Sequence, residues 1–432
     1  MTTVDGDQRQ GSTSMGRIAL ASLVGTTIEF YDFYAYGIAA ALVLNTAFFP
    51  ELSETAGTLA AFSTYAVAFF ARPIGSVIFG HWGDRVGRKS VLIVSLLMMG
   101  ISTVLIGLLP GYSTLGIAAA ALLVILRFVQ GVGLGGEWGG AALLATEHAP
   151  ADKRGLWGMF PQLGPSIGFI LANAIFLGVR LNIDAAAFAS WGWRVPFIAS
   201  IVLVVVGLWI RLSIAETPVF KKAIEQESLS RVPFLDLVRH EWAHLLLGSG
   251  VMMVQYTLFY TATTYCLSYG TKALKIPQVS MLTITMLAVL ALALGTVISS
   301  PLSDRIGRKR VLTTACVLGI VWGLVMFPLM DTRSYPLVWL ALAGALFVMG
   351  LCFGPMAAFL PELFPTRFRY SGAGLAYSIG GILGGSLPPL ILTALQARWG
   401  SSVAGLYVSA VAVISLLCLL PIRETRHVSL DH

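Results

Sequence analysis

Four ionisable side chains stand inside long apolar runs of this sequence: Glu29, Asp32, Arg72 and Arg127. An ionised group at the centre of a bilayer costs about 2.5–3.5 kcal/mol on insertion scales, so each needs a partner or a hydrated cavity. At about 100° per residue, Glu29, Asp32 and Tyr36 fall within an arc of roughly 60° on one helix. Arg127 and Gln130 share a face of another helix, with Glu137 near the same line. Counting a rise of about 1.5 Å per residue puts Glu29, Asp32 and Arg127 near mid-depth, where Arg127 is expected to pair with Asp32 or with Glu29. Burial alone favours the protonated form of a carboxylate, and an adjacent arginine favours the ionised form. A step that draws Arg127 away would therefore make the carboxylate take up a proton. Arg72 and Glu137 are candidates for the same coupling or for a static buried ion pair.

A second polar stripe occurs at Gln255-Tyr256-Thr257-Leu258-Phe259-Tyr260, where amide and hydroxyl groups stand in place of the leucines that lipid prefers. Tyr256, Tyr260 and Thr263 share a face there. Tyr256, Tyr260, Gln255, Tyr36, Gln130 and Arg127 are expected to contact a solute, and a hydroxylated organic acid would find donors among them. Gln162 and Asn173 are weaker candidates, because an amide inside a span also bonds to neighbouring helices. The histidines fall at span ends, in loops or in the tail. The four cysteines lie in apolar segments without metal or redox spacing. No nucleotide loop, metal cluster or nucleophile elbow is present, so the sequence implies neither an enzyme nor a metal or cofactor beyond a proton.

The elements that position these groups follow from composition. Of 432 residues, 56% are apolar and 11% charged, where soluble domains carry about a quarter charged. Such a chain cannot solvate its own surface, which must face lipid. A hydrocarbon core of about 30 Å needs about 20 apolar residues per helix. Twelve candidate spans result: 18–49, 55–82, 90–109, 115–146, 155–180, 193–213, 243–270, 278–302, 311–330, 335–360, 371–397 and 403–421. The first run is too long for a cleaved signal and reads as a retained helix. A polar connection at 214–242 separates residues 1–213 from residues 243–432, six spans on each side. Most of the 28 Lys and Arg residues fall in loops on one side, which predicts cytoplasmic termini by the positive-inside rule. The net charge of +7 is spent on those loops and forms no basic face, so nucleic acid is not a partner.

The two halves repeat one motif. Gly80-His81-Trp82-Gly83-Asp84-Arg85-Val86-Gly87-Arg88-Lys89 between spans two and three aligns with Ser300-Pro301-Leu302-Ser303-Asp304-Arg305-Ile306-Gly307-Arg308-Lys309 between spans eight and nine. Duplication explains this, and six-helix repeats about a central site are a known transporter architecture. Glycine permits the sharp reversal, and the aspartate can cap a helix start or accept from arginines as a latch between bundles. Gly80, Asp84, Arg85, Gly87, Arg88, Asp304, Arg305, Gly307 and Arg308 are therefore expected to gate.

At these residues the chain resembles the major facilitator superfamily over essentially its whole length. Arg127-Phe128-Val129-Gln130-Gly131-Val132-Gly133 and Ala215-Glu216-Thr217-Pro218 are similar to further motifs of that superfamily. Glu29-Phe30-Tyr31-Asp32-Phe33-Tyr34, Arg72-Pro73-Ile74-Gly75, Gly135-Gly136-Glu137-Trp138-Gly139-Gly140, Trp191-Gly192-Trp193-Arg194 and Glu362-Leu363-Phe364-Pro365-Thr366-Arg367 resemble its metabolite:proton symporter family. That resemblance implies an all-α integral membrane protein of two pseudo-symmetric six-helix bundles. It implies proton-coupled uptake of a small organic acid such as shikimate or a di- or tricarboxylate by alternating access. Uptake of a zwitterionic osmolyte such as proline or betaine is the alternative, and proton-antiport efflux a third. A bacterial inner-membrane carrier acting as a monomer is expected, its partners being the solute, protons and lipid.

Overall fold

In lipid, a chain can satisfy its backbone polar groups only within helices or closed barrels. The apolar runs here, interrupted by glycine and proline at span ends, form helices; no strand occurs among the described residues. The computed structural model describes residues 15–86, 88–135, 143, 145–146, 149–213, 234–365 and 368–428, with backbone alone at 17–18, 80–86, 88–89, 211, 213 and 234–236. Gly87 and Glu137, and the side chains of Asp84, Arg85 and Arg88 in the first signature copy with the surroundings of Gly80, lie outside the described residues.

Twelve long helices follow one another: α1 (Met15–Leu42), α2 (Glu54–Val86), α3 (Arg88–Leu108), α4 (Ile117–Leu134), α5 (Arg154–Asn182) and α6 (Val195–Ser213). The second six are α7 (Phe234–Tyr260), α8 (Gln278–Ile306), α9 (Arg308–Asp331), α10 (Tyr335–Glu362), α11 (Arg369–Gly381) and α12 (Ser401–Leu419). Helix α7 continues through π turns at Thr261–Tyr265 and Tyr269–Ala273, and α11 through a π turn at Ile382–Ser386 into Leu387–Trp399. Among the described residues eleven helices are long and apolar enough to cross a bilayer. Helix α1 has the length, but its acids and tyrosines lower its apolarity, and most of it is enclosed by protein instead.

Two boundaries differ from the sequence expectation. The signature motif is helical nearly throughout: α8 runs to Ile306 and α9 begins at Arg308, so Gly307 alone makes the turn, with φ +103°. That region of φ is open to glycine and strained for other residues. Asp304 thus sits in the last turn of a helix rather than in a loop. The polar connection also ends early, because Phe234 to His240 already belong to α7, which kinks at Glu241.

Helices pair by the same scheme in each half. In the first, Thr26 on α1 donates to the Pro161 carbonyl of α5 (3.0 Å), Ser76 on α2 donates to the Gly135 carbonyl at the end of α4 (2.5 Å), and α3 packs on α6. In the second, Thr257 on α7 donates to Gly384 of α11 (3.2 Å), Ser299 on α8 to Gly350 of α10 (3.0 Å), and Ser409 on α12 to Ile320 of α9 (2.7 Å). One–five, two–four and three–six recur as seven–eleven, eight–ten and nine–twelve, the packing counterpart of the duplicated motif. The halves meet where α5 faces α8, α2 faces α11 and α1 faces α7.

The α1–α5 pair shows how close these approaches are. A Cβ added at Gly164 would stand 1.9 Å from Thr26 Oγ1 and 2.9 Å from the Thr27 nitrogen. Overpacking of this kind costs about 1–3 kcal/mol. Gly164→Ala is therefore expected to lower the melting temperature in detergent by several degrees, whereas Gly178→Ala, with open space around it, should not; equal melting of the two variants would contradict the packing described.

Candidate functional site

Where the halves meet, aromatic rings from both close around two arginines. Helices α1 and α2 supply Phe33, Tyr65 and Phe69, with Phe33 and Phe69 perpendicular at 5.0 Å between centroids. Helix α7 supplies Tyr256 and Tyr260, and Tyr260 lies 5.3 Å from Phe69 and 5.7 Å from Tyr65. Tyr377 of α11 packs on Tyr256 at 5.3 Å. Tyr34 and Phe169 close the α1–α5 side against Phe259.

Arg72 occupies the angle between the two perpendicular rings, its guanidinium carbon 4.4 Å from each centroid. It is 1% exposed. Among the described residues none of its three nitrogens has an acceptor in hydrogen-bond geometry; the hydroxyls of Tyr256, Tyr260, Tyr377 and Tyr65 stand around it, and Glu29 lines the same small cavity. Arg127, 0% exposed, stacks on Tyr36 at 3.9 Å and reaches the same Phe33 ring at 5.0 Å. Its nitrogens donate to the Gln130 side chain and to the Tyr65 carbonyl (3.3 Å), and Gln130 in turn donates to Thr103 (2.8 Å). Two guanidinium groups thus border one phenyl ring. Guanidinium tolerates this because it is weakly hydrated and binds aromatic faces.

This corrects the expected pairing. Among the described residues Arg127 makes no ion pair with Asp32 or Glu29; Gln130, a neutral carbonyl and an aromatic face take up its donors instead. Both carboxylates are buried in α1, and Glu29 lines a small cavity with Arg72, Phe30, Leu134, Gly135, Gly374, Tyr377 and Ser378. Tyr36 is less available than expected, since its hydroxyl bonds Thr64 at 2.5 Å and Arg127 covers its face. Gln162 bridges the halves by donating to Phe353 of α10 at 2.8 Å. The amide nitrogen of Gln255 is held by Met252, while its oxygen has no donor among the described residues. Tyr256 and Tyr260 do face the cage. Among the described residues Glu29, Asp32, Arg72 and Arg127, all in the first half, are the charges at this depth; the second half brings rings and hydroxyls. Phe33 and Phe69, which wall the arginines, carried no polar signal in the sequence.

Contacts cross between the halves at both ends. At the signature end the Asp304 carboxylate accepts from the Gly155 and Leu156 amides at the start of α5, at 2.9 and 2.8 Å. Arg308 holds the same carboxylate at 2.7 Å and Glu362 at 3.3 Å. Glu424 accepts from the Arg308 and Lys309 amides, and Thr425 bonds Glu362. Arg305 points outward and its carbonyl accepts from Arg426. Glu362 and Glu424 complete a network of which the sequence showed only the duplicated part. At the opposite end Lys272 of the α7 extension donates to Thr58 of α2 (2.9 Å), and Arg180 of α5 to Gln278 of α8 (3.2 Å).

Paired helical bundles enclose charge at mid-depth and are latched to each other at both ends, and with the family model and relatives that match, this is a multi-pass membrane transporter and not an enzyme. The chain belongs to the Major Facilitator Superfamily, whose family model matches residues 22–389. It is 48% identical to the Inner membrane metabolite transport protein YhjE of Escherichia coli over 99% of both chains. It is 37% identical to the Shikimate transporter of E. coli, covering 96% of this chain and 97% of that one. The Proline/betaine transporter of E. coli is 31% identical, with 94% and 83% covered. The xylose transporter XylE of E. coli, in a partially occluded inward-open conformation, superposes with a TM-score of 0.78 over 97% of this chain and 100% of that one, at 18% identity. That likeness concerns the twelve-helix fold.

Proposed function

We propose that the protein takes up a small organic acid, of the kind of shikimate or a di- or tricarboxylate, together with protons by alternating access. The observation that carries this reading is the buried pair of guanidinium groups at Phe33, neither of which has a carboxylate in ion-pair geometry among the described residues. A cation at this depth is costly without a counter-charge, and a bound carboxylate supplies one. A planar guanidinium also matches a carboxylate's two oxygens. Tyr256 and Tyr260, with Gln255, Gln162, Gln130 and Tyr36 behind them, would orient the acid, and the carboxylates of α1 would carry the proton. No further cofactor enters this scheme. The relatives support it: two are named for a metabolite and for shikimate. We place the protein in the inner membrane as a monomer with cytoplasmic termini, so the signature end faces inward.

One observation favours the osmolyte alternative. A box of aromatic faces is the usual receptor for a quaternary ammonium, and a relative is named for proline and betaine. In this cage, however, the cation over Phe33 and Phe69 is already Arg72. A second positive charge there would be repelled. Proteoliposomes offered shikimate, 2-oxoglutarate, citrate, proline and betaine under an inward proton gradient are expected to accumulate acids and not osmolytes; the reverse preference would overturn the reading, and outward pumping would replace symport by antiport.

A further inference from the structure

One stripe of α5 faces the second half along the length of the helix. At about 100° per residue, Gly155, Gly158, Gln162, Phe169, Asn173 and Arg180 fall within roughly 60° of arc. Five of these six have a counterpart across the interface. Gly155 lies against Ser300 and Ser303 of α8, Gly158 against Ala357 and Gln162 against Phe353 of α10, Phe169 against Phe259 of α7, and Arg180 against Gln278 of α8. Asn173 is the exception. It is 0% exposed, and among the described residues neither its amide oxygen nor its amide nitrogen has a hydrogen-bond partner.

The residue opposite follows from the register. Helix α5 runs away from the signature end and α8 returns towards it, so the two are antiparallel. Counting seven residues along each helix from the Arg180–Gln278 contact sets Asn173 against Thr285. The same register at the other end sets Gly155 against Ser303, as observed. Thr285 is buried, and its hydroxyl donates to the Met281 carbonyl at 2.7 Å, which leaves its oxygen able to accept. Asn173 and Thr285 thus face each other without a bond between them. Asn173 also stands one turn, about 6 Å, beyond Phe169, a ring that closes the cage against Tyr34 and Phe259. An amide that only fastened two helices would be bonded across the interface, as Gln162 is.

We propose that Asn173, faced by Thr285, receives a hydroxyl group of the transported acid while the cage holds its carboxylate. The inference rests on the organic-acid reading and deepens it by naming the substrate class, a hydroxy acid. A hydroxyl donates to the amide oxygen or accepts from the amide nitrogen, and vicinal hydroxyls do both at once; the Thr285 oxygen is a further acceptor. With the outer face open, α5 and α8 part at this level and water meets the amide. Closure dries it. A hydroxy acid then replaces the lost water bonds, whereas an acid without the hydroxyl leaves a buried donor and acceptor unpaired, at a cost that falls on the closed state. Sites built to bond a substrate hydroxyl reject its deoxy analogue for this reason. The discrimination therefore appears in transport more than in first binding.

The test uses the full chain in proteoliposomes under an inward proton gradient, with pairs of acids that differ only by hydroxyl groups: shikimate and cyclohexene carboxylate, malate and succinate, citrate and tricarballylate. Within the pair that the parent transports, initial uptake at limiting concentration is expected to favour the hydroxylated member at least about tenfold. Asn173→Leu keeps the branching of the side chain without its polar atoms and should bring that ratio to about one, by gain of the deoxy acid and loss of the hydroxy acid. Its melting temperature should not fall, because the amide it removes had no bond in the protein. Asn173→Ala should collapse the ratio in the same way and decides alone if the leucine variant does not fold. Thr285→Val should lower the ratio by less. A parent indifferent to the hydroxyl in every pair it transports would overturn the assignment. So would a ratio retained in Asn173→Ala, whether both acids are lost alike or neither is, and a lower melting temperature beside that retained ratio would mark Asn173 as a helix fastener. Failure of the parent to take up either member of any pair would instead remove the organic-acid reading itself.

Discussion

Replacing Arg72 by glutamine is expected to remove saturable binding of the transported acid while leaving the helix bundle intact. The guanidinium contributes little to the fold through polar bonds, since its nitrogens have no acceptor among the described residues. Its loss takes a buried cation out of an apolar setting and so relieves a desolvation cost. For the ligand the balance is reversed. Truncating one partner of a buried, hydrogen-bonded charge pair costs about 2–5 kcal/mol, or roughly 30- to several-thousand-fold in affinity. Arg72→Lys should recover little of this, because an ammonium neither lies flat in the angle between Phe33 and Phe69 nor meets a carboxylate with two parallel donors. Equilibrium binding in detergent, read beside thermal melting, separates the two effects. An Arg72→Gln protein that binds the acid like its parent would leave Arg127 as the anion receptor.

The second large effect is expected at the signature end. Asp304→Asn keeps the size of the side chain but loses the charge that accepts from two α5 amides and from Arg308. A hydrogen bond to a charged group contributes about 1.5–3 kcal/mol, and the positive end of the α5 dipole adds to it. Weakening the latch by about 2 kcal/mol would move the equilibrium between closed and open inner faces roughly thirtyfold. The measurement is alkylation of a cysteine placed at Ala357, buried on α10 against Gly158 of α5, by an impermeant reagent on the inner side, with the native cysteines removed. Asp304→Asn should raise the labelling rate, and substrate should raise it less than in the parent. An unchanged rate would mean that the contact follows closure without stabilising it.

These expectations differ in how far they were legible beforehand. That Asp304 would cap a helix could be read from its place in the duplicated motif, because aspartate next to a turn has few other uses. Which helix it caps could not, since α5 is brought to α8 only by packing over a separation of about 150 residues. The twelve spans were visible because each must match the thickness of hydrocarbon. The same logic marked Arg72 and Arg127 as costly, but not their surroundings: Phe33 and Phe69 look like ordinary lipid-compatible residues until α1 and α2 set them at right angles. Arg127 illustrates the opposite error. Gln130 shares its helical face, and the same spacing that suggested a joint binding surface lets the amide satisfy the arginine directly.

Among the described residues, the confinement of mid-depth charge to one half separates the holding of charge from the shaping of the ligand. Glu29, Asp32, Arg72 and Arg127 all travel with α1, α2 and α4, whereas α7 and α11 bring rings and hydroxyls to the cage and interrupt their winding with π turns beside them. Descendants of such a chain could keep the anchored charge of the first half and change diet by altering the rings and hydroxyls of the second. Directed evolution toward a new acid would then be most economical with diversity focused on α7 and α11, the arginines serving as a shared anchor.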